Sequence, residues 1–241
     1  MTWSILARDE QGHFGMAIAS RFFAVGSLCL HARRGVGVLS TQALMNPLYG
    51  PAALDHLGHG HTAAQAIASV VAGDAGREHR QIHVLPAKGP CASHTGAQCI
   101  DWCGHLAFKH VSVAGNMLAG PEVLEATAQA FLASAGRPLA ERLLAAMDAG
   151  QVAGGDKRGK QSAALKIQAD EDYLQLDLRV DDHPDPLPEL RRLYEKSLER
   201  FQPFLTCLPG RTRPAGVTDR AQIETVIEQF HLLLEKNDNP A

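Results

Sequence analysis

The 241-residue chain is 45% hydrophobic and 20% charged, a globular composition with apolar material for one sizeable core plus an appendage. A formal net charge of −3 leaves no broad basic face for nucleic acid or anionic lipid. No apolar run approaches the ~20 residues of a membrane span and no charged-then-apolar leader is visible, so a cytoplasmic protein without membrane or nucleic-acid partners is expected.

Residues 2–8 (TWSILAR) alternate, with Trp3, Ile5 and Ala7 on one face and Thr2, Ser4 and Leu6 on the other. A turn at 9–12 leads to a second strand over 14–20, which predicts an opening hairpin. Residues 25–41 (VGSLCLHARRGVGVLST) predict another strand pair, turning near Arg34 and Gly35. Two helices follow. The first begins near Pro47 or Pro51 and ends near Gly58; the second is capped by Thr62 and Gln65 in a capping box and stops at Gly73. Residues 81–85 and 91–96 predict a hairpin, and 110–115 a short strand. Pro121 sits in the first turn of a helix over 121–135, and a further helix covers 138–149. A last hairpin, 162–168 with 173–180, precedes a helix over 189–200.

Paired strands and paired helices in alternating blocks argue for α+β layers, not a doubly wound parallel sheet. Two stacked antiparallel sheets with helices outside each would satisfy that order. Residues 2–200 form the expected main domain. From Phe201 the chain is rich in Pro and Gly and reads as a linker. A helix over 219–236 then carries Ile223, Val226, Ile227, Phe230, Leu233 and Leu234 at helical spacing. That apolar face either docks on its own domain or pairs between subunits.

Thr2 is the first candidate for chemistry. Methionine aminopeptidase removes an initiator methionine before a small residue, and Thr qualifies. Thr2 would then carry a free α-amine, titrating near ~7.7–8.0, beside its own hydroxyl. The amine can take the hydroxyl proton, giving an activated N-terminal nucleophile, and an immediate core strand would hold it rigid. The five cysteines show no CxxC and no disulfide framework, so free thiols in a reducing compartment are expected. Asp181, Asp182 and His183 in "RVDDHPDP" could hold a divalent cation or simply form a strand exit. The pair His59 and His61 lacks adjacent ligands for zinc.

The runs "TWSILARDEQGHFGMAIASRFFAVGS", "GVGVLSTQALMNPLYGP", "GREHRQIHV", "SVAGNMLAGPEV", "GGDKRGKQSAAL" and "DLRVDDHPDPLPELRRL" together resemble the DUF1028 family over about residues 2–200. That family is assigned to the N-terminal nucleophile (Ntn) hydrolase superfamily. The resemblance implies a four-layer αββα sandwich of two antiparallel sheets and hydrolysis of an amide bond, with Thr2 as nucleophile and no cofactor. Proteasome β subunits, which the superfamily pattern also resembles, end their second strand in an acidic-Ser-Arg run. Here it reads Ala19, Ser20, Arg21. The orienting carboxylate is therefore expected elsewhere or absent, with Asp156 as the candidate and Ser162 approximately matching a serine that follows it in those relatives. His31 and Arg33 lie in roughly the strand where those relatives carry a lysine.

Other site residues follow from the same runs. Arg21 would bind a substrate carboxylate or form a structural ion pair. "LSTQALMNPLYGP" runs from a strand end into a helix start, where backbone N–H groups lack partners and can hold an oxyanion. Gln42 and Ala43 are the expected donors there, with Ser40, Thr41 and Asn46 as neighbouring side chains; a helix cap is the structural alternative. Asn116 would hydrogen-bond the α-amine or substrate, or serve as a turn residue. The leading expectation is an amidohydrolase acting on a small or peptide-like substrate and assembling as a homo-oligomer. The alternatives are a non-catalytic binding or assembly protein on the same fold, and a metal-dependent hydrolase built on Asp181, Asp182 and His183.

Overall fold

The computed structural model describes residues 2–238, with side chains up to residue 235. The chain divides into two compact units, one ending at Leu190 and one beginning at Arg191. In the first, the described strands are β1 (Thr2–Arg8), β2 (Phe14–Ser20), β3 (Leu30–Arg33), β4 (Gly37–Ala43), β5 (Arg80–Pro86), β6 (Ala92–Thr95), β7 (Gly104–Phe108), β8 (Val111–Asn116), β9 (Ser162–Gln168) and β10 (Leu176–Val180). Its helices are α1 (Val25–Leu28), α2 (Tyr49–Gly58), α3 (Ala63–Ala72), α4 (Glu122–Ala133) and α5 (Leu139–Val152). The division falls inside α6 (Pro186–Glu199), and α7 (Phe201–Leu205) and α8 (Arg220–Asp238) lie in the second unit. No helix among the described residues is long and apolar enough to cross a membrane.

The protein is mixed α+β with two antiparallel sheets. Their strand orders are β10-β9-β2-β1-β8-β7 and β3-β4-β5-β6. The first strand of the sequence is thus interior to the larger sheet, between β2 and β8. Its alternating sequence suits that position, because both faces are buried.

The Trp3 face looks toward the pair α4 and α5. Close approach there depends on a glycine: a Cβ on Gly150 of α5 would stand 2.3 Å from Thr127 Oγ1 and 2.9 Å from Trp3 Nε1. Gly15 of β2 similarly lets Leu139 and Leu143 of α5 sit on the sheet. Gly150→Ala is therefore expected to destabilise the fold by about 1–3 kcal/mol. The check is a lowered urea midpoint with an unchanged m value.

The Thr2 face meets the smaller sheet. Part of this interface is apolar, with Leu6, Phe14, Met16 and Ile18 against Leu30, Val38 and Leu85. The remainder is polar, with Ser4, Ser112 and Asn116 hydrogen-bonded to Gln42, Gln81 and His83. On the other face of the smaller sheet, Leu39, Ile82 and Val84 pack with Tyr49, Ala53 and Leu54 of α2 and Ala63, Ala66 and Ile67 of α3. Fully burying an aliphatic side chain such as Leu39 contributes about 1.5–3 kcal/mol. The capping box at Thr62 forms as expected, the Thr62 hydroxyl accepting from Gln65 N and the Gln65 side chain from Thr62 N.

Three local expectations are corrected. Residues 25–28 form a helical turn, not a strand. Ala24 adopts φ 51°, which turns the chain, and Ser162 Oγ accepts the Val25 N–H where a strand partner would. Strand β7 is absent from the sequence reading because, as an edge strand, it is largely exposed and lacks alternation. Its turn into β8 places His110, not a glycine, at φ 65°. Finally, the expected linker begins with α7: Pro203 sits in its first turn, where a missing N–H costs nothing.

In the second unit, Arg200 makes a two-pronged contact with Glu224 of α8. On α8, Ile227 is buried, while Leu232 and Leu233 are exposed.

Candidate active site

Strand pairing builds the site. Thr2, at the N-terminal end of β1, lies directly opposite Ser20 on one side and Asn116 on the other. Directly opposed residues share a face, with Cβ atoms roughly 4.5–5.5 Å apart. The Thr2 and Ser20 hydroxyls are 3.0 Å apart, one donating to the other. All three side chains are nearly or wholly buried from bulk solvent, yet they line one wall of a cavity of about 620 Å³. A side chain on an interior strand, paired on both sides, has little conformational freedom left to lose.

The rest of the cavity divides by character. Phe22, Leu44, Met45, Ile100 and Met117 supply apolar surface, and His79, Arg80 and Arg158 supply basic groups. Arg80 is fixed by Asp74, whose Oδ2 accepts from Arg80 Nε at 3.1 Å and from Tyr49 Oη at 2.7 Å. Those bonds, with the Gly76 N–H, hold the Asp74 carboxyl well below the usual carboxylate range. Arg158 is tethered to Asp156 at 3.4 Å. Cys99 also lines the cavity, and burial pushes its thiol up, toward the neutral form.

Two cavity residues have unusual backbones: Ala43 at φ 67° and Met117 at φ 57°. A non-glycine residue there costs on the order of 1–3 kcal/mol and marks a constrained segment. The Ala43 N–H follows from strand alternation. Thr41 N donates to Cys29 O on the β3 side, whereas Leu44 N donates to His79 O on the β5 side. Gln42 is paired with Gln81 on β5, so Ala43 turns its N–H back to the β3 side, beyond the end of that strand.

The remaining expected site residues take other positions. Gln42 does not line the cavity. It is wholly buried between the sheets, its Oε1 accepting from Ser4 and Ser40 and its Nε2 donating to Gln81. Thr41 and Asn46 instead shape the turn after β4, with Asn46 N and O both bonded to Thr41 Oγ1. Asn46 Nδ2 also donates to Asp74. Ser162 Oγ donates to Phe22 O at 2.5 Å and accepts from Val25 N, so it fixes the turn after β2. Arg21 is exposed and bonded to Arg158 O; it does not line the cavity. Asp156 accepts from Arg21 N and Arg158 N, and its backbone bridges to Leu118. It therefore positions the loop that carries Arg158 to the cavity.

Ala19 stands where the proteasome-like pattern carries an acid. Ala19 pairs with Trp3, on the face opposite Thr2, so a carboxylate there would project away from the Thr2 hydroxyl. His31 packs on Gly50 of α2, and Arg33 pairs with Asp55, so neither reaches the cavity. Asp181 pairs with Arg179, Asp182 accepts from Gln161, and His183 bonds to the Asp185 backbone. Among the described residues, no group of three His, Cys, Asp or Glu side chains could hold a metal ion.

Sequence reasoning missed Arg80, Arg158, His79, Cys99 and Ile100. Arg80 begins β5, and the others come from the segments between strands, where side-chain direction has no strand period to reveal it. It also missed Gln81 and His83. Their signal is the alternation of Gln81, His83 and Leu85 with Ile82 and Val84, which puts two polar residues on the face turned toward the larger sheet.

A crystal structure of a DUF1028 protein from Silicibacter pomeroyi is similar to this chain at 31% identity and TM-score 0.84, covering 91% of this chain and 96% of that one. The ancestral β-subunit Anbu from Yersinia bercovieri matches at 12% identity and TM-score 0.39, covering 81% of this chain and 94% of that one. No curated protein matches the chain. The model of a family of unknown function, DUF1028, matches residues 2–190. With the family model spanning nearly all of the first unit and a family structure superposing over most of the chain, the protein belongs to the DUF1028 family.

Proposed function

We propose that the protein is an amide-cleaving hydrolase of the N-terminal nucleophile type, on a four-layer αββα fold, with Thr2 as the nucleophile. The observation that carries this reading is the Thr2 hydroxyl, held 3.0 Å from Ser20 Oγ on an interior strand and lining a cavity. Met1, whose removal the reading requires, lies outside the described residues.

With Thr2 as first residue, its neutral α-amine accepts the hydroxyl proton, directly or through a water, as Oγ1 attacks the substrate carbonyl carbon. The Ala43 N–H is the candidate donor to the oxyanion. Collapse of the tetrahedral intermediate breaks the C–N bond, and the ammonium returns the proton to the leaving amine. Water, activated by the same amine, attacks the ester and releases the acid with Thr2 regenerated. Among the described residues no lysine lines the cavity, and in this reading the Thr2 amine serves as the base. The apolar wall of Phe22, Leu44, Met45 and Ile100 suits a substrate with an apolar group beside the scissile carbonyl. Arg80 and Arg158 suit a carboxylate at its other end.

Intact-mass measurement of the purified protein tests the requirement. The expected mass lacks one methionine; full retention of Met1 would remove the amine and with it the mechanism.

A further inference from the structure

The polar layer between the sheets has a direction, and that direction can be derived from fixed groups. Gln81 Nε2 donates to Gly115 O at 2.9 Å and to Gly104 O at 3.1 Å. Backbone carbonyls only accept, so the Gln81 amide has one orientation. Its Oε1 therefore faces the other way and must receive donors. Two arrive: Gln42 Nε2 at 2.7 Å and Asn116 Nδ2 at 3.1 Å. The Asn116 amide is thereby oriented as well. Its nitrogen points to Gln81, inside the layer, and its Oδ1 lies on the other prong, in a residue that lines the cavity opposite Thr2.

We propose that Gln81 is a positioning residue: it aligns Asn116 so that Oδ1 is presented to the Thr2 amine as a hydrogen-bond acceptor. This rests on the N-terminal nucleophile reading of Thr2. A freely rotating Asn116 could offer the amine either a donor or an acceptor. The Gln81 lock leaves the acceptor, which favours the protonated amine between proton transfers and directs its lone pair when neutral. Gln81 does this without touching the amine. Its buried amide satisfies two strand carbonyls, one of them next to Asn116 in the chain, so strand and side chain are set together.

The test uses the full chain with Thr2 exposed by processing of a ubiquitin fusion. The Thr2 amine pKa is read from its acetylation rate against pH, using an amine-acylating reagent and mass spectrometry of the N-terminal peptide. Arg80, Arg158 and His79, which line the same cavity, are unchanged throughout. Gln81→Met is expected to lower the amine pKa by roughly one unit, because the acceptor is no longer held. Asn116→Asp should raise it above wild type, a sign that loss of structure would not produce. Gln81→Asn, which keeps an amide but loses reach, serves if the methionine variant does not fold, and should also lower the value. An unchanged amine pKa in a folded Gln81 variant, or no rise in Asn116→Asp, would overturn the proposal. A β-lactone probe is applied to the same samples. Absence of acylation at Thr2 with the pKa shifts present would refute the nucleophile reading while leaving the Gln81 assignment standing.

Discussion

If Thr2 is the nucleophile as proposed, Thr2→Ala is expected to lower amide hydrolysis by roughly 10³-fold or more while leaving the fold intact. The alanine variant loses one hydroxyl, whose bond to Ser20 contributes about 0.5–1.5 kcal/mol. Its thermal midpoint should therefore stay within a few degrees of wild type. Thr2→Ser keeps a hydroxyl beside the amine and should retain turnover. The comparison is made with a panel of N-acyl amides bearing apolar acyl groups, since the cavity wall around Phe22 and Ile100 is apolar. Equal turnover in wild type and Thr2→Ala would assign the chemistry to another residue.

The second large effect is acid destabilisation through His83. Its ring is wholly buried between the sheets, bonded at Nε2 to Ser4 Oγ at 2.8 Å and at Nδ1 to Ser112 Oγ at 2.9 Å. The orientation set by Gln81 extends here. Gln42 turns its Nε2 to Gln81 and its Oε1 to Ser4, so the Ser4 hydroxyl donates to Gln42. His83 Nε2–H must then donate to Ser4, and Nδ1 accepts from Ser112. The ring is neutral and singly tautomeric, and burial pulls its pKa down to about 3. The unfolded chain binds this proton near pH 6.5, so below that pH the unfolded state holds more protons and stability falls as pH falls. The contribution is fully present above about pH 6.5 and is lost progressively toward pH 3, by on the order of 4 kcal/mol. Asp74 adds an acid loss of its own, but its lowered carboxyl loses stability only as pH falls below the ordinary carboxylate range. Chemical denaturation between pH 7 and pH 4.5 thus avoids the Asp74 loss, and the difference between wild type and a His83 variant separates His83 from His31 and His105, which burial also pulls down. Wild-type stability should fall across that window, and His83→Gln, less stable at pH 7, should show a flatter profile. A wild-type profile flat to pH 4.5 would contradict the buried neutral assignment.

The elements most legible in the sequence are those whose periodicity reports two different environments. The strand at 2–8 alternates because its two faces meet helices and a second sheet, and helix α3 announces itself through Thr62 and Gln65. Where one side chain replaces a period, legibility ends. Residues 25–28 look like strand because they are apolar, yet Ser162, far away in sequence, accepts the Val25 N–H and helps to hold the turn. The site divides in the same way. Thr2, Ser20, Ala43 and Asn116 sit on or end strands, and their places around the cavity follow from register. Arg80 and Arg158 owe their positions to Asp74 and Asp156, which are tertiary partners that spacing does not reveal. The expected carboxylate near the nucleophile illustrates the limit. The sequence marks Asp156 as a site residue, and in the structure its carboxylate accepts from the backbone N–H groups of Arg21 and Arg158.

Thr2 Oγ1, and not another cavity group, is the proposed nucleophile. Cys99 is the relevant rival, since its thiol lines the same cavity. Treating the protein with a β-lactone acylating probe and mapping the adduct by peptide mass spectrometry tests this directly. One acyl group is expected on the N-terminal peptide at Thr2, absent in Thr2→Ala. An adduct on the peptide containing Cys99, with Thr2 unmodified, would contradict it.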